Sequence, residues 1–247
     1  MEISIKPEII TYLFGIPVTN SLILSLLTTV AVAIGGITIV SLLRSIPRKL
    51  QSIVEVVLET LLDFMEGVLG NREQAKKFFP LVASFFIFIL MNNWLGVLPG
   101  TGSIGFYEMH EGEEVFVPFF RSANSDLNTT LALAFISLAA IQIYGIKKLG
   151  FLKHISKFFS FNKGPLQFFV GMLELIAEFA KILSFSFRLF GNMFAGEVLL
   201  LIIMTLVPIF APLPFFMMEF FVGFIQALVF AMLTLIFLKI ATDVPSH

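Results

Sequence analysis

Five long apolar runs divide this chain, and no other feature restricts its possible folds as strongly. They cover residues 21–43, 78–97, 127–146, 166–207 and 215–240, and each has the roughly 20 residues that a helix needs to cross a bilayer. Only helices and closed barrels satisfy their backbone polar groups inside lipid. Because 57% of all residues are hydrophobic, we predict an all-α integral membrane protein with a single membrane domain, residues 1–247.

Composition excludes several functional classes. The formal net charge is -1, whereas a nucleic-acid surface requires an excess of Lys and Arg. The chain contains no cysteine, which excludes thiol catalysis and cysteine-ligated metals. Its three histidines, His110, His154 and His247, are too scattered to form a metal site. We therefore expect no nucleic-acid partner, no metal and no cofactor.

Basic residues concentrate in two loops, and they predict the orientation because cytoplasmic loops collect Lys and Arg. The loop after the first run is basic and contains Arg44, Arg48, Lys49, Arg72, Lys76 and Lys77. The loop after the third run is also basic and contains Lys147, Lys148, Lys153, Lys157 and Lys163. The loop after the second run has one Lys or Arg residue, Arg121, and it contains the glutamates Glu108, Glu111, Glu113 and Glu114. We expect the basic loops and the C-terminus to be cytoplasmic and the N-terminus to be outside.

The first run is too long for the core of a signal peptide and lacks a convincing cleavage site, so we expect a retained helix. We expect the bacterial plasma (inner) membrane, because the N-terminal segment does not resemble an organellar targeting segment, although an organelle-encoded protein would also lack one.

Residues 48–70 have an amphipathic pattern typical of a helix on the cytoplasmic membrane surface. Glu55, Glu59, Asp63 and Glu66 recur every three or four residues on one face, and the other faces are apolar. Two explanations remain open, namely packing beneath neighbouring helices and binding of a specific partner.

Arg188 lies in the middle of the fourth apolar run and is the strongest candidate functional residue. An arginine at the centre of a membrane helix costs roughly 2.5–3.5 kcal/mol on insertion scales, so it normally faces a protein partner or a water cavity. Its guanidinium stays charged, which makes it a fixed cation and a poor proton relay. At helical spacing, Ser184 and Asn192 share its face, and Glu174 lies near that face.

Other polar residues occur at membrane depth in the last two runs. Glu197 lies about 13 Å along the helix from Arg188 and on roughly the opposite face. Glu219 and Gln226 are seven residues apart in the last run, so they share a face. Glu197 and Glu219 lie within apolar runs, where ionisable groups usually mark ion paths.

Structural roles are the alternative for several of these residues. Ser184 could bond to its own helix, and Asn192 could fasten two helices. Glu174 and Glu178 could lie at the cytoplasmic interface. We expect Lys181 to extend its ammonium to the membrane surface.

The segment RLFGNMFAGE, residues 188–197, resembles the signature of subunit a of F-type (F1Fo) ATP synthases of the bacterial type. The resemblance extends along nearly the whole chain and in order. Further matching segments are FFPLVASFFIFILMNNWLGVLPG at residues 78–100, SANSDLNTTLALA at residues 122–134 and IQALVFAMLT at residues 225–234.

The resemblance implies a stator subunit of the Fo motor. In this family the last two helices are long and tilted against a rotating ring of c subunits, each with a membrane carboxylate. Subunit a supplies two aqueous half-channels, and the arginine faces the ring. Implied partners are the c-subunit ring, the peripheral-stalk b subunits and the remainder of F1Fo. Since no G-x-x-x-x-G-K-[ST] loop occurs, we expect no ATP chemistry by this polypeptide alone.

Roles carry over to matching residues. Arg188 matches the essential arginine. The cytoplasmic half-channel corresponds to Glu174, Ser184 and Asn192, and the outer one to Glu197, Glu219, Gln226, Asn128 and Asn93. Glu219 departs from many bacterial relatives, which have His at this position. Because two nearby carboxylates can share one proton, we expect Glu197 and Glu219 to titrate as a coupled pair.

A secondary transporter and a structural scaffold are the two alternatives to the motor. A secondary transporter could use Arg188 to bind an anionic substrate. Such folds commonly contain internal repeats, and the two halves of this chain show no convincing repeat. A structural scaffold would not explain charges at membrane depth.

Overall fold

The computed structural model describes residues 6–41, 49–110, 113–151, 165–208 and 210–243. Within these residues the chain forms six long α-helices: α1 Asn20–Ser41, α2 Lys49–Leu69, α3 Arg72–Val97, α4 Leu127–Leu149, α5 Pro165–Leu206 and α6 Pro212–Thr242. Of these described helices, all except α2 are long and apolar enough to cross a membrane. The predicted fold class, an all-α membrane protein with five hydrophobic helices, is confirmed.

Helix ends differ from the ends of the apolar runs where capping groups extend a helix beyond the lipid. The run at residues 78–97 is the apolar part of α3, which begins six residues earlier, at Arg72. Asn71 caps this end, because its side chain accepts the backbone N–H groups of Glu73 and Gln74. Apolar residues therefore mark the membrane-spanning part of a helix, whereas polar caps set its ends.

Two β-hairpins that the sequence did not predict lie at one end of the helical bundle. β1 Ile9–Leu13 pairs with β2 Ile16–Thr19, and β3 Gly105–His110 pairs with β4 Glu113–Pro118. A hydrogen bond links the two hairpins, because Asn20, directly after β2, donates from its Nδ2 to the carbonyl of Pro118, at the end of β4. We call this the hairpin end of the protein.

The core lies between α3, α4, α5 and α6, and α1 is peripheral. Buried residues such as Ile89, Leu189 and Leu235 come from three of these helices. In α1, by contrast, the buried residues are confined to the first turns, Asn20, Ser21, Leu24 and Thr28. The remainder of α1 exposes large apolar side chains, including Ile37 and Val40, as expected for a helix in contact with lipid.

The amphipathic helix α2 is fixed by its neighbours at its C-terminal half. Leu61, Met65 and Leu69 are buried in the core cluster. Arg72 Nη1 lies 2.7 Å from Asp63 Oδ1 and 2.7 Å from Glu66 Oε2. The apolar face of this half of α2 is therefore packed in the core, and the acids Asp63 and Glu66 of the other face pair with Arg72. Exposed ion pairs of this kind contribute little stability.

α5 is the longest described helix, with 42 residues. At 1.5 Å per residue it extends about 63 Å, roughly twice the 30 Å thickness of the hydrocarbon core. Because α5 is apolar along most of its length, an upright helix would expose apolar residues to water. A tilted helix would keep more of these residues in the membrane.

Candidate functional site

Arg188 lies on an exposed face of α5. Its Nη2 donates to Ser184 Oγ at 3.2 Å, one turn away. Among the described residues, no carboxylate lies within ion-pair distance of its guanidinium. The exposed residues around it are apolar or small and include Leu183, Phe187, Gly191 and Ala195. A permanent cation thus lies on an apolar surface that no described part of this chain covers.

Gln226 of α6 lies beside Arg188. The two residues line a narrow cleft between α5 and α6 together with Phe185, Leu189, Phe230 and Leu233. The cleft has a volume of about 10 Å³, close to the room that one water molecule requires. Aromatic packing holds the helices together here, with 5.0 Å between the ring centroids of Phe185 and Phe230.

Glu197 faces a larger cavity at the hairpin end. The cavity has a volume of about 340 Å³ and is lined by Glu8, by the segment 96–103 and by α5 residues beyond Arg188. Arg121 Nε lies 3.0 Å from Glu197 Oε1 and 3.3 Å from Oε2. The Arg121 side chain is 10% exposed, whereas that of Glu197 is 40% exposed. The cavity therefore contains a paired carboxylate that still contacts open space.

Glu219 has different surroundings, although it lies next to the same turn of α5. The residue is buried, and its Oε2 has no hydrogen-bond partner among the described residues. Its carboxylate lies directly over Gly196, where a Cβ atom would overlap both carboxylate oxygens. Glycine at this position therefore makes room for Glu219 between α5 and α6.

Replacement of Gly196 by Ala is expected to displace the Glu219 carboxylate, because the overlapping atoms are the end of a flexible side chain. The resemblance implies that Glu219 lies on a proton route, and a displacement of about 1 Å can reduce the rate of a positioned reaction up to a hundredfold, so we expect proton flux to fall roughly tenfold. Flux is measured in vesicles that contain the assembled complex. Gly36→Ala in α1 is the control, since a Cβ there meets nothing within 4 Å. Equal flux in both variants would show that the position of Glu219 does not matter.

Asn93 is part of a buried hydrogen-bond network near Glu219. Its Nδ2 donates to the Gly223 carbonyl at 2.8 Å, and its Oδ1 accepts from Asn124 Nδ2 at 2.7 Å. These bonds join α3 to α6 and to the short helical turn Ala123–Ser125. Asn93 thus fastens three elements together, and the buried Asn124 Oδ1 of this network has no hydrogen-bond partner among the described residues.

Asn128 lies away from Glu197, at the exposed start of α4. Its Nδ2 donates to Asp126 Oδ1 at 3.1 Å. Thr130, two residues later, shares a hydrogen bond of 2.9 Å with Ser186 of α5. The start of α4 therefore lies beside the turn of α5 that precedes Arg188.

The other end of α5 carries Glu174, which is half-buried and lies about 21 Å along the helix from Arg188. Asn192, one turn beyond Arg188, is also half-buried. The prediction for Lys181 was wrong, because its ammonium turns inward instead of to the surface. Lys181 Nζ lies 2.6 Å from Glu178 Oε1 and 4.6 Å from the centre of the Phe237 ring. The ring and the carboxylate stabilise the cation inside the bundle.

The structure thus gathers the candidate residues into separate groups. Arg188, Ser184 and Gln226 lie together, Glu197 and Glu219 lie on either side of one turn of α5, and Asn128 and Glu174 lie apart. The sequence interpretation did not assign roles to Arg121, Asp126 or Gly196. One signal for Arg121 was present, since it is the only basic residue in an otherwise acidic loop.

Together these features define a multi-pass helical membrane protein with fixed and titratable charges inside its apolar helices. The family model for the ATP synthase A chain matches residues 22–239. The chain is 35% identical over 209 residues to ATP synthase subunit a of Campylobacter curvus, which covers 84% of this chain and 83% of the relative. It is 36% identical over 207 residues to ATP synthase subunit a of Desulfotalea psychrophila, and the matched region covers 81% of this chain and 75% of the relative. The protein therefore belongs to the ATP synthase A chain family.

Proposed function

We propose that this protein is the proton-translocating stator subunit of the Fo motor of an ATP synthase. It provides two aqueous half-channels that end on opposite sides of Arg188, and the arginine acts on a carboxylate of the rotating c-ring. The polypeptide makes no ATP alone, because phosphate chemistry belongs to other subunits of F1Fo. The position of Arg188 is the observation that carries this proposal.

An exposed guanidinium on an apolar face needs a partner of opposite charge. Leaving the cation unpaired in lipid would be costly, and the described residues offer it only the Ser184 hydroxyl. The small side chains of Gly191 and Ala195 on the same face allow another helix to approach closely. A c-subunit helix with a membrane carboxylate fits both requirements.

Electrostatics then explain how Arg188 controls the proton. A pair of unit charges 4 Å apart at an effective dielectric constant of 20 interacts by about 4 kcal/mol. A protonated c-ring carboxylate that approaches Arg188 therefore releases its proton to the nearest aqueous path. The same fixed cation repels a proton that would pass directly between the half-channels. Net transfer then requires rotation of the ring.

The two half-channels are assigned to the two ends of α5. Glu197, Glu219 and Gln226 form the outer route, and the cavity beside Glu197 supports this because it opens at the hairpin end. Asn128 and Asn93 are assigned to this route by the resemblance; Asn93 contacts α6 through its hydrogen bond to the Gly223 carbonyl. Glu174, Ser184 and Asn192 form the cytoplasmic route, in which Asn192 lies one turn toward the hairpin end from Arg188, so that this route reaches as far as the arginine. The hairpin end and N-terminus face outside, and the C-terminus faces the cytoplasm of a bacterium.

Disulfide cross-linking tests this assignment cleanly, because the natural chain contains no cysteine. Gly191→Cys places a thiol on the Arg188 face, where a side chain meets nothing within 4 Å. We expect it to form a disulfide with a cysteine introduced next to the membrane carboxylate of the c subunit. Val40→Cys is the control, since Val40 is 67% exposed on the peripheral helix α1.

Equal cross-linking from Gly191→Cys and Val40→Cys would contradict the proposed orientation of α5. A chain that binds an anionic solute and purifies without c or b subunits would instead fit the transporter.

A further inference from the structure

The two carboxylates at the hairpin end differ in the charges that surround them. Glu197 is paired with Arg121 and contacts the cavity, whereas Glu219 is buried without a partner for Oε2 among the described residues. Gly196 separates the two groups. A pair that shares one proton equally requires similar surroundings, and these two carboxylates do not have them.

Arg121 is built into this site by contacts on several sides. Besides its bonds to Glu197, its Nη1 donates to the Lys6 carbonyl at 3.1 Å. Its guanidinium also lies 6.0 Å from the ring centroid of Phe194, one turn before Glu197. With only 10% of its side chain exposed, Arg121 is held in place rather than free to move in solvent.

We propose that Arg121 is a positioning residue of the outer proton route: it holds Glu197 as the ionised carboxylate, so that the transferred proton resides on Glu219. This inference rests on the proposed function and replaces the equally shared proton with two distinct roles. Glu197, with its cation, provides a polar wall of the cavity. Glu219 accepts a proton from the cavity and passes it inward, toward Gln226 and the rotor.

Physical chemistry supports this division. An ionised carboxylate inside an apolar interior is costly unless a cation or hydrogen bonds compensate its charge. Glu197 has that compensation in Arg121, and a guanidinium binds a carboxylate strongly because its hydrogen bonds are charge-assisted. Glu219 lacks a comparable cation among the described residues, so holding the proton avoids a buried, uncompensated charge.

Two further acids of the hairpin end, Glu8 and Asp126, have hydrogen-bond partners of their own. Glu8 of the N-terminal segment lines the same cavity, and its Oε2 accepts a hydrogen bond from Asn20 Nδ2 at 3.2 Å. The Asp126 carboxylate, at the start of α4, accepts hydrogen bonds from Ser21 Oγ at 2.8 Å and from Asn128 Nδ2. On α6, the facing ionisable group is Glu219. Among these residues, Arg121 is the cation at ion-pair distance from Glu197.

The test measures proton flux through the complete complex in vesicles as a function of pH on the side of the cavity. In Arg121→Gln, Glu197 loses its cation and competes with Glu219 for the proton. The alkaline limb of the profile is the range in which flux falls as the pH rises. This limb should then move to higher pH by about one unit, a typical effect of one nearby charge. Arg121→Lys keeps the cation and should retain the original limb.

Glu197→Gln gives the opposite sign, because it removes a negative charge beside the Gly196 turn that Glu219 contacts, while the Arg121 cation remains. Its alkaline limb should move to lower pH, and the double variant Arg121→Gln/Glu197→Gln should return close to the original limb. If Arg121 only fastened the loop to α5, the flux of Arg121→Gln would fall without any movement of the limb. That result, or an unmoved limb in Glu197→Gln, would overturn the proposal.

These outcomes are separable from a failure of the proposed function. Co-purification of the c-ring with each variant shows whether the complex has assembled. If Arg121→Gln fails to assemble, Glu197→Gln alone decides the question through the direction of its shift. Coupled pumping that persists in Arg188→Ala would refute the proposed function, whatever the position of these limbs.

Discussion

Replacement of Arg188 by Ala is expected to abolish ATP synthesis and ATP-driven proton pumping. In the proposed mechanism, the variant removes the cation that drives ionisation of the rotor carboxylate. A loss of about 4 kcal/mol corresponds to a factor of roughly a thousand, so both activities should fall to the assay background. Pumping is measured with a pH-sensitive dye in vesicles that contain the complex.

The same variant should also allow protons to leak, because the electrostatic barrier between the half-channels is gone. Passive flux is measured after removal of F1, with Ser41→Ala as the control. Ser41 is exposed at the end of α1, and its hydroxyl bonds only to its own helix at Thr38 in the described structure. Normal ATP-driven pumping in Arg188→Ala would refute the role of this residue.

Replacement of Glu219 by Gln should reduce proton flux roughly tenfold or more, because an amide cannot accept and release the transferred proton. The change conserves side-chain size, so packing over Gly196 is kept. Passive flux in F1-free vesicles reports the defect directly.

Glu73→Gln makes the same chemical change on an exposed carboxylate, in the first turn of α3. Its flux should equal that of the natural protein. Undiminished flux in Glu219→Gln would remove this residue from the proton route and leave Glu197 as the acid assigned to the outer route.

The membrane helices were predictable because lipid imposes a simple rule on sequence. A span must be apolar for about 20 residues, and its backbone must be satisfied within the helix. Arg188 was conspicuous for the same reason, since a charge there breaks the rule. The β-hairpins were not predictable in this way, because they lie in short segments outside the membrane spans, where no such requirement acts. The register of the β1–β2 hairpin is set by a tight turn at Phe14 and Gly15, both with positive φ.

Contacts between distant segments were also invisible in the sequence. Arg121 reaches Glu197 across 76 positions of the chain, and no local pattern indicates that pairing. Gly196 reads as an ordinary helical glycine until α6 brings Glu219 against it. Helical periodicity placed Arg188 with Ser184 correctly, but it gave no information about which helix faces Gln226.

Proton flux with the rotor locked is the most direct test of whether Arg188 separates two half-channels. The disulfide between Gly191→Cys and the c subunit would stop rotation, and reduction would release it. Passive flux through F1-free vesicles should fall to background when the disulfide forms and recover when it is reduced. Flux that continues unchanged with the ring locked would mean that protons cross this subunit without rotation, which contradicts the proposed mechanism.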